Sequence, residues 1–217
     1  MAGNAGWRGG LFNMLKFLLT MRDDDAFSAG QDWLHVLGVS QPKWDVFLTA
    51  MQRGLRKTNE RLQVSCDSAT AFDMGGRFDR YAVSPALGSD ARDWSVGFGQ
   101  IEQLRSHSDP ANPKPFPAAS PLGNQLMMHH IVVDDSAVAG RRLDTISNMF
   151  LINHSLWVYL DAGRRANAAA FGTGKRDIPA VYAAAIDIIE AAFSVEQWAT
   201  LLAAQRAALD AAAPLKQ

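Results

Sequence analysis

A single cysteine, Cys66, occurs in 217 residues. That excludes an intramolecular disulfide and suits a reducing compartment. An excess of either charge is missing too, since 21 Lys and Arg face 22 Asp and Glu for a formal net charge of -1. A domain built to bind nucleic acid usually carries a clear basic excess, so any such contact must come from local patches. Long apolar runs are also absent. The stretch 11–21 is interrupted by Lys16, closed by Arg22-Asp23-Asp24-Asp25, and too short to cross a bilayer. Residues 1–10 lack a basic n-region followed by an apolar core, so the expected location is the cytoplasm, with no membrane partner. No tandem repeat occurs, and low complexity is confined to the Ala-rich tail.

Hydrophobic residues make up 48% of the chain, enough for a sizeable core and, at this length, one large domain. Two short β-rich runs organise it: 33–39, ending in Gly38-Val39-Ser40, and 62–66, ending in Cys66-Asp67-Ser68. Between them, 42–57 has helical periodicity through Trp44, Phe47, Leu48, Met51 and Leu55, with Ser40 as the expected N-cap and Pro42 in the first turn. Strand, helix, strand over this length predicts a parallel pair. In such folds chemistry sits at the carboxyl ends of the strands, which makes Asp67 the candidate catalytic residue. The alternative is that Asp67 only caps its loop. The segment after it, 68–78, with Gly75-Gly76 and Arg77, reads as a site loop.

Gly9-Gly10 precedes a helical pattern at 11–19, where glycines can bring backbone N–H groups to a ligand edge. No strand stands before it, which suggests the back part of a larger α/β unit. Arg53, Arg56 and Lys57 end the second helix. They suit either its dipole or a phosphate backbone. Short strands are expected at 81–83 and 93–98, with a proline-rich excursion over about 85–121 that cannot be a central strand. A strand is expected at 126–133; its neighbours His129 and His130 would point to opposite faces and so not share a metal. The last third reads as helices over 143–162, 178–193 and, from a capping box at Ser194, through Ala212. The turn Gly172-Thr173-Gly174-Lys175-Arg176 lacks the spacing of a P-loop.

The two strand ends, Val36-Leu37-Gly38-Val39-Ser40 and Ser65-Cys66-Asp67-Ser68, resemble the second half of the tRNA-guanine transglycosylase family, in its phage-encoded form. Ala5-Gly6-Trp7-Arg8-Gly9-Gly10 resembles that family's base-contacting glycine loop, and 154–160 its C-terminal His-bearing helix. The resemblance implies an α/β fold: the second half of a TIM-type (β/α) barrel over 1–166, with a C-terminal helical hairpin over 167–217 packed on it. It implies Asp67 as nucleophile, with Gly9, Gly10, Gly38, Val39, Ser68, Phe72 and Arg77 around the base. Arg53, Arg56, Lys57, Arg164 and Arg165 would lie along the nucleic-acid backbone. The partners implied are tRNA or DNA and a 7-deazaguanine-type base. The implied compartment is the host cytoplasm if the gene is phage-borne.

The family's zinc site departs. Only His154 falls on a ligand position and the cysteine run is missing, so neither metal nor cofactor is expected. The family's front half, with its base-reading Asp, is not matched. Activity would then need a separate N-terminal half or a second copy. The alternative is a non-catalytic subunit or structural remnant of the same fold. A phosphate-binding barrel enzyme of small metabolites is a third reading, with no phosphate loop to support it.

Overall fold

The computed structural model describes residues 10–28, 30–105, 109–131, 143–174 and 176–213. Among them the chain is mixed α/β, with helices predominating and two short sheets. It divides into two compact units. One comprises Met1–Ser68, Leu87–Trp94 and Arg165–Gln217, and the other Ala69–Ala86 and Ser95–Arg164. The division does not follow the expected boundary at 166–167, because the C-terminal helices share a core with the first strands.

The first unit begins with α1 (Gly10–Asp23), β1 (Trp33–Leu37), α2 (Pro42–Leu55) and β2 (Gln63–Asp67). β1 and β2 pair in parallel, with His35 opposite Ser65 and Leu37 opposite Asp67. Leu34 and Val36 turn into the core, where they meet Leu11, Leu15, Leu18 and Leu19 of α1 and Phe47 and Met51 of α2. The helix α2 starts at Pro42, as expected, but its N-cap is one residue later than Ser40 and it ends at Leu55, short of 57. Gln41 is its N-cap, without a side-chain bond, and Pro42 opens it; a proline there gives up an N–H that has no helical partner anyway. α2 packs on α6 (Ala180–Ala192), and α6 on α8 (Arg206–Ala212). The expected single last helix is two, α7 (Trp198–Ala204) and α8, parted at Gln205; the Gln197 N-cap of α7 makes no side-chain bond, so no capping box forms.

Part of the supposed excursion is core. A 3₁₀ turn at Ala91–Trp94, not a strand, buries Trp94 against Tyr182, ring centroids 5.4 Å apart. The indole N–H donates to the Gly88 carbonyl at 2.8 Å. Asp90 takes the Arg92 N–H at 2.8 Å, which bends the chain here. A local side-chain bond of this kind competes directly with a strand ladder.

Gly54 lies in α2 where the Phe193 ring seats directly on its Cα, and a Cβ there would overlap the ring. Gly54→Ala gains about 1 kcal/mol of helix propensity but forces an overpacked core costing about 1–3 kcal/mol. We expect a net loss of stability on denaturant unfolding, reversed in part by the double variant Gly54→Ala/Phe193→Leu.

The second unit holds α3 (Thr70–Phe78), β3 (Arg80–Val83), β4 (Gly97–Gln100), α4 (Ile101–Arg105) and most of α5 (Thr145–Phe171). The stretch expected as a site loop after Asp67 is therefore largely the helix α3. β3 and β4 are antiparallel, with Tyr81 opposite Gly99; the tyrosine ring covers that glycine. α5 is longer than the expected 143–162 and is capped by Asp144, which accepts the Ser147 N–H at 2.6 Å.

The strand expected at 126–133 is not formed in its described part. Two 3₁₀ turns, Gly123–Gln125 and Met128–His130, stand there instead, joined to the proline-rich loop by a single bridge between Pro115 and Met127. Two bonds flank that bridge, Phe116 N–H to the Leu126 carbonyl at 3.0 Å and Met128 N–H to the Lys114 carbonyl at 2.8 Å, and the ladder goes no further because Leu126 N–H and His130 N–H turn back to the carbonyls of Gly123 and Met127. Residues 132 and 133 lie outside the described residues.

The outer side of β3 is closed by α5. Ala82 N–H donates to Ser155 Oγ at 3.2 Å, and the Ala82 carbonyl accepts from His154 Nε2 at 2.8 Å. Two polar side chains thus satisfy the backbone of an edge strand that would otherwise stay open. The other ring nitrogen of His154 accepts from Ser120 Oγ at 2.8 Å, while that oxygen accepts the Gly123 N–H at 2.7 Å. His154 is fully buried, and burial holds its pKa below the usual histidine value, opposed by the Ala82 bond.

Candidate active site

Alternation along β1 and β2 places Trp33, His35 and Leu37 on the same face as Gln63, Ser65 and Asp67. This face is turned away from the core. Trp33 is 63% exposed although it is the largest side chain on β1. Four polar groups on the face form a connected line. Trp33 Nε1 donates to Ser65 Oγ at 2.7 Å, Ser65 Oγ meets His35 Nδ1 at 2.7 Å, and His35 Nε2 lies 3.5 Å from Asp67 Oδ2.

An indole N–H can only donate, so Ser65 Oγ accepts from Trp33, while the roles of Ser65 Oγ and His35 Nδ1 depend on the tautomer of the ring. The carboxylate stands at the end of β2, and its side chain is 60% exposed with the His35 ring beside it.

The end of β1 is fastened to the same residue. Gly38 N and Val39 N both donate to the Asp67 carbonyl, at 3.0 and 3.2 Å. Gly38 has a φ of 79°, the left-handed conformation that glycine adopts without strain. The turn lets the Val39 side chain re-enter the core while Gly38 stays exposed. Asp67, Gly38 and Val39, all singled out by the sequence, are therefore one local assembly.

The other expected residues are placed differently. Gly10 is buried at the start of α1, with a φ of 60°, and offers no open edge; Gly9 lies outside the described residues. Ser68 follows β2 directly. Phe72 is exposed on α3 in the other unit, where only the backbone of Arg77 is described. Arg53, Arg56 and Lys57 sit at the C-terminal end of α2, by the start of β2. A five-residue strand separates them from Asp67, roughly 15 Å. Each is engaged within the fold: Arg53 stacks over Phe171 at 5.0 Å, Arg56 Nε donates to the Leu62 carbonyl at 2.9 Å, and Lys57 Nζ reaches Ser194 Oγ at 2.8 Å. Arg164 pairs with Asp161 at 2.7 Å, and Arg165 is half-buried. The three cations of α2 thus do not gather at the carboxylate. Arg176 of the glycine turn bonds Asp187 and Glu190 of α6. Among the described residues no cluster of three or more metal-ligating side chains occurs.

Behind Asp67, on the core face, Cys66 Sγ lies 3.8 Å from Asp45 Oδ1 of α2. Burial pushes the Asp45 carboxyl up to about 6, against a small opposing effect of the thiol bond. Burial, with the Asp45 charge, pushes Cys66 up to about 11. The thiol next to the candidate nucleophile is therefore a weak nucleophile itself. Because the folded-state pKa of Asp45 is raised above its ordinary 3.8, the fold binds its proton more tightly than the unfolded chain does. Stability from this group is intact below pH 4 and falls as pH rises through about 6. Asp45→Asn should raise unfolding free energy by about 2 kcal/mol at pH 7.5 and leave it unchanged at pH 4, measured by denaturant titration at the two pH values.

His35, Ser65 and Trp33 were not picked out from the sequence as site residues. The signal was present in the two-residue alternation of both strands. Setting the strands in parallel register with Leu37 opposite Asp67 puts His35 one pair away on the same face.

Together these residues define an exposed strand-end carboxylate, held by a glycine turn and a histidine. Comparison with family models, curated proteins and solved structures finds no match to this chain.

Proposed function

We propose that the chain carries the nucleophile of a base-exchanging transglycosylase acting on tRNA or DNA, with Asp67 as the attacking carboxylate. The observation that supports this most is the assembly at the two strand ends, where the residue that bears the exposed carboxylate accepts two N–H groups of the glycine turn on its backbone carbonyl. On this reading β1–α2–β2 is a consecutive pair from a (β/α) barrel, and its remaining strands, with the base-reading carboxylate, come from another polypeptide segment.

The chemistry is two displacements at one carbon. An Asp67 oxygen attacks C1′ of a nucleotide swung out of its stack. The C1′–N9 bond breaks, and its electron pair leaves with guanine, which takes up a proton. The ester so formed at C1′ is then attacked by N9 of a 7-deazaguanine, which loses its proton as the Asp67–C1′ bond breaks. A carboxylate nucleophile divides one difficult displacement into two easier ones. His35, whose Nε2 lies 3.5 Å from Asp67 Oδ2, holds the group in line as a positioning residue when Nε2 carries the proton. The exposed Trp33 ring beside it offers a face for base stacking.

Incorporation of labelled guanine into tRNA and into DNA tests the reading, with the chain alone and with candidate front halves added. Exchange in the wild type, lost in Asp67→Asn, is expected. Absence of exchange under all these conditions returns the chain to its alternative, a non-catalytic subunit of the same fold.

A further inference from the structure

The helix α5 is built the wrong way round for a surface helix. Its inward side carries His154 and Ser155, both fully buried, beside Leu151, Val158 and Ala162. Its outward side carries Ile146, Met149, Trp157 and Leu160, which are 63%, 57%, 37% and 66% exposed. With Asn153 these residues fall within about 80° of the helix circumference. An ordinary amphipathic helix would put polar groups there.

The stripe is symmetric about Asn153. Met149 and Trp157 lie four residues to either side, and Ile146 and Leu160 seven. We propose that α5 pairs antiparallel with α5 of a second copy of this chain, about a two-fold axis at Asn153. An isologous contact requires a surface that complements itself under that rotation. Here Met149 meets the second copy's Trp157, Ile146 meets its Leu160, and the two Asn153 amides face each other, each able to donate and accept. A single polar residue at the centre of an apolar helix seam fixes register and partner number.

Dipoles and area agree with this occupant. Antiparallel pairing opposes the two helix dipoles. The four apolar side chains leave roughly 500 Å² open on each copy, about 1,000 Å² for the pair, which reaches the size expected of a specific interface before any flanking residue is counted.

Sedimentation velocity at micromolar concentrations tests the proposal on the full chain. The wild type is expected to be dimeric and both Leu160→Glu and Ile146→Glu monomeric, with unchanged far-UV circular dichroism. In a Cys66→Ser background, Asn153→Cys should give an interchain disulfide on mild oxidation. Ile146→Cys alone should not, because the two copies of residue 146 lie about 20 Å apart in the antiparallel arrangement. A monomeric wild type, a dimer that survives Leu160→Glu, or efficient cross-linking by Ile146→Cys alone would each overturn it, the first assigning the stripe to a different partner.

Discussion

On the proposed transglycosylase reading, Asp67→Asn is expected to lower base exchange by at least a thousandfold, to background, while the chain remains folded. The substitution keeps the shape of the side chain and removes its capacity to attack C1′, so the covalent route is closed rather than slowed. Little else changes. The side chain is mostly exposed, and the bonds that secure the Gly38 turn go to the Asp67 backbone carbonyl, which the variant retains. His35→Ala provides the contrast. It leaves the nucleophile in place and removes the ring that orients it, with an expected loss on the order of tenfold to a hundredfold in kcat and a small change in KM. Equal losses in the two variants would mean that the His35–Asp67 pair, and not the carboxylate, is what the reaction needs.

The second large effect concerns stability. His154→Ala removes the donor to the Ala82 carbonyl and the acceptor for Ser120, both in a buried setting. It also opens a space beside the Phe116 ring, whose centroid is 5.0 Å from the imidazole. Two buried groups left without partners cost about 1–3 kcal/mol each, and the cavity adds to that. For a unit of about 90 residues a loss of about 4 kcal/mol lowers the melting temperature by 15 °C or more. His154→Gln, which can restore one of the two bonds, should recover part of this.

The pH dependence has a definite sign. The folded-state pKa of His154 is depressed by burial, so the unfolded chain binds the proton more tightly. Stability is complete above the ordinary histidine value of 6.5 and falls as pH drops below it. Asp45, in the other unit, acts in the opposite direction, because its raised pKa costs stability as pH rises towards about 6. Calorimetry across pH 4 to 8 should therefore show the two units responding with opposite slopes.

Much of the first unit was legible because its signals are local and agree with one another. The β-rich runs at 33–39 and 62–66 around a helical 42–57 leave little choice but a parallel pair, and the Gly38 turn and Asp67 follow from where the strands stop. The second unit was harder to read. Leu126–Ile131 has the composition of a strand, but beyond the two bonds it shares with Lys114 and Phe116 its N–H groups turn back to carbonyls three residues earlier, a local closure that composition does not reveal. Asp93–Phe98 alternates as a strand does, yet Asp90 and the buried Trp94 indole turn the chain first, and the strand forms only from Gly97 onward. The histidine of α5 matched a ligand pattern by sequence, while its bonds to Ser120 and Ala82 depend on contacts more than 30 and 70 residues away. The cations at the end of α2 were chosen by charge alone. A helix that follows a strand runs back along it, so its C-terminus lies at the far end from the carboxylate.

The most direct test of the central claim is the mass of the chain after incubation with acceptor nucleic acid, under conditions that support exchange but with no incoming base, followed by nuclease digestion and peptide mapping. A nucleotide attached through an ester at Asp67, absent in Asp67→Asn and released on addition of base, is the predicted result. Exchange that proceeds with no adduct at Asp67, or with the adduct on another residue, would contradict it.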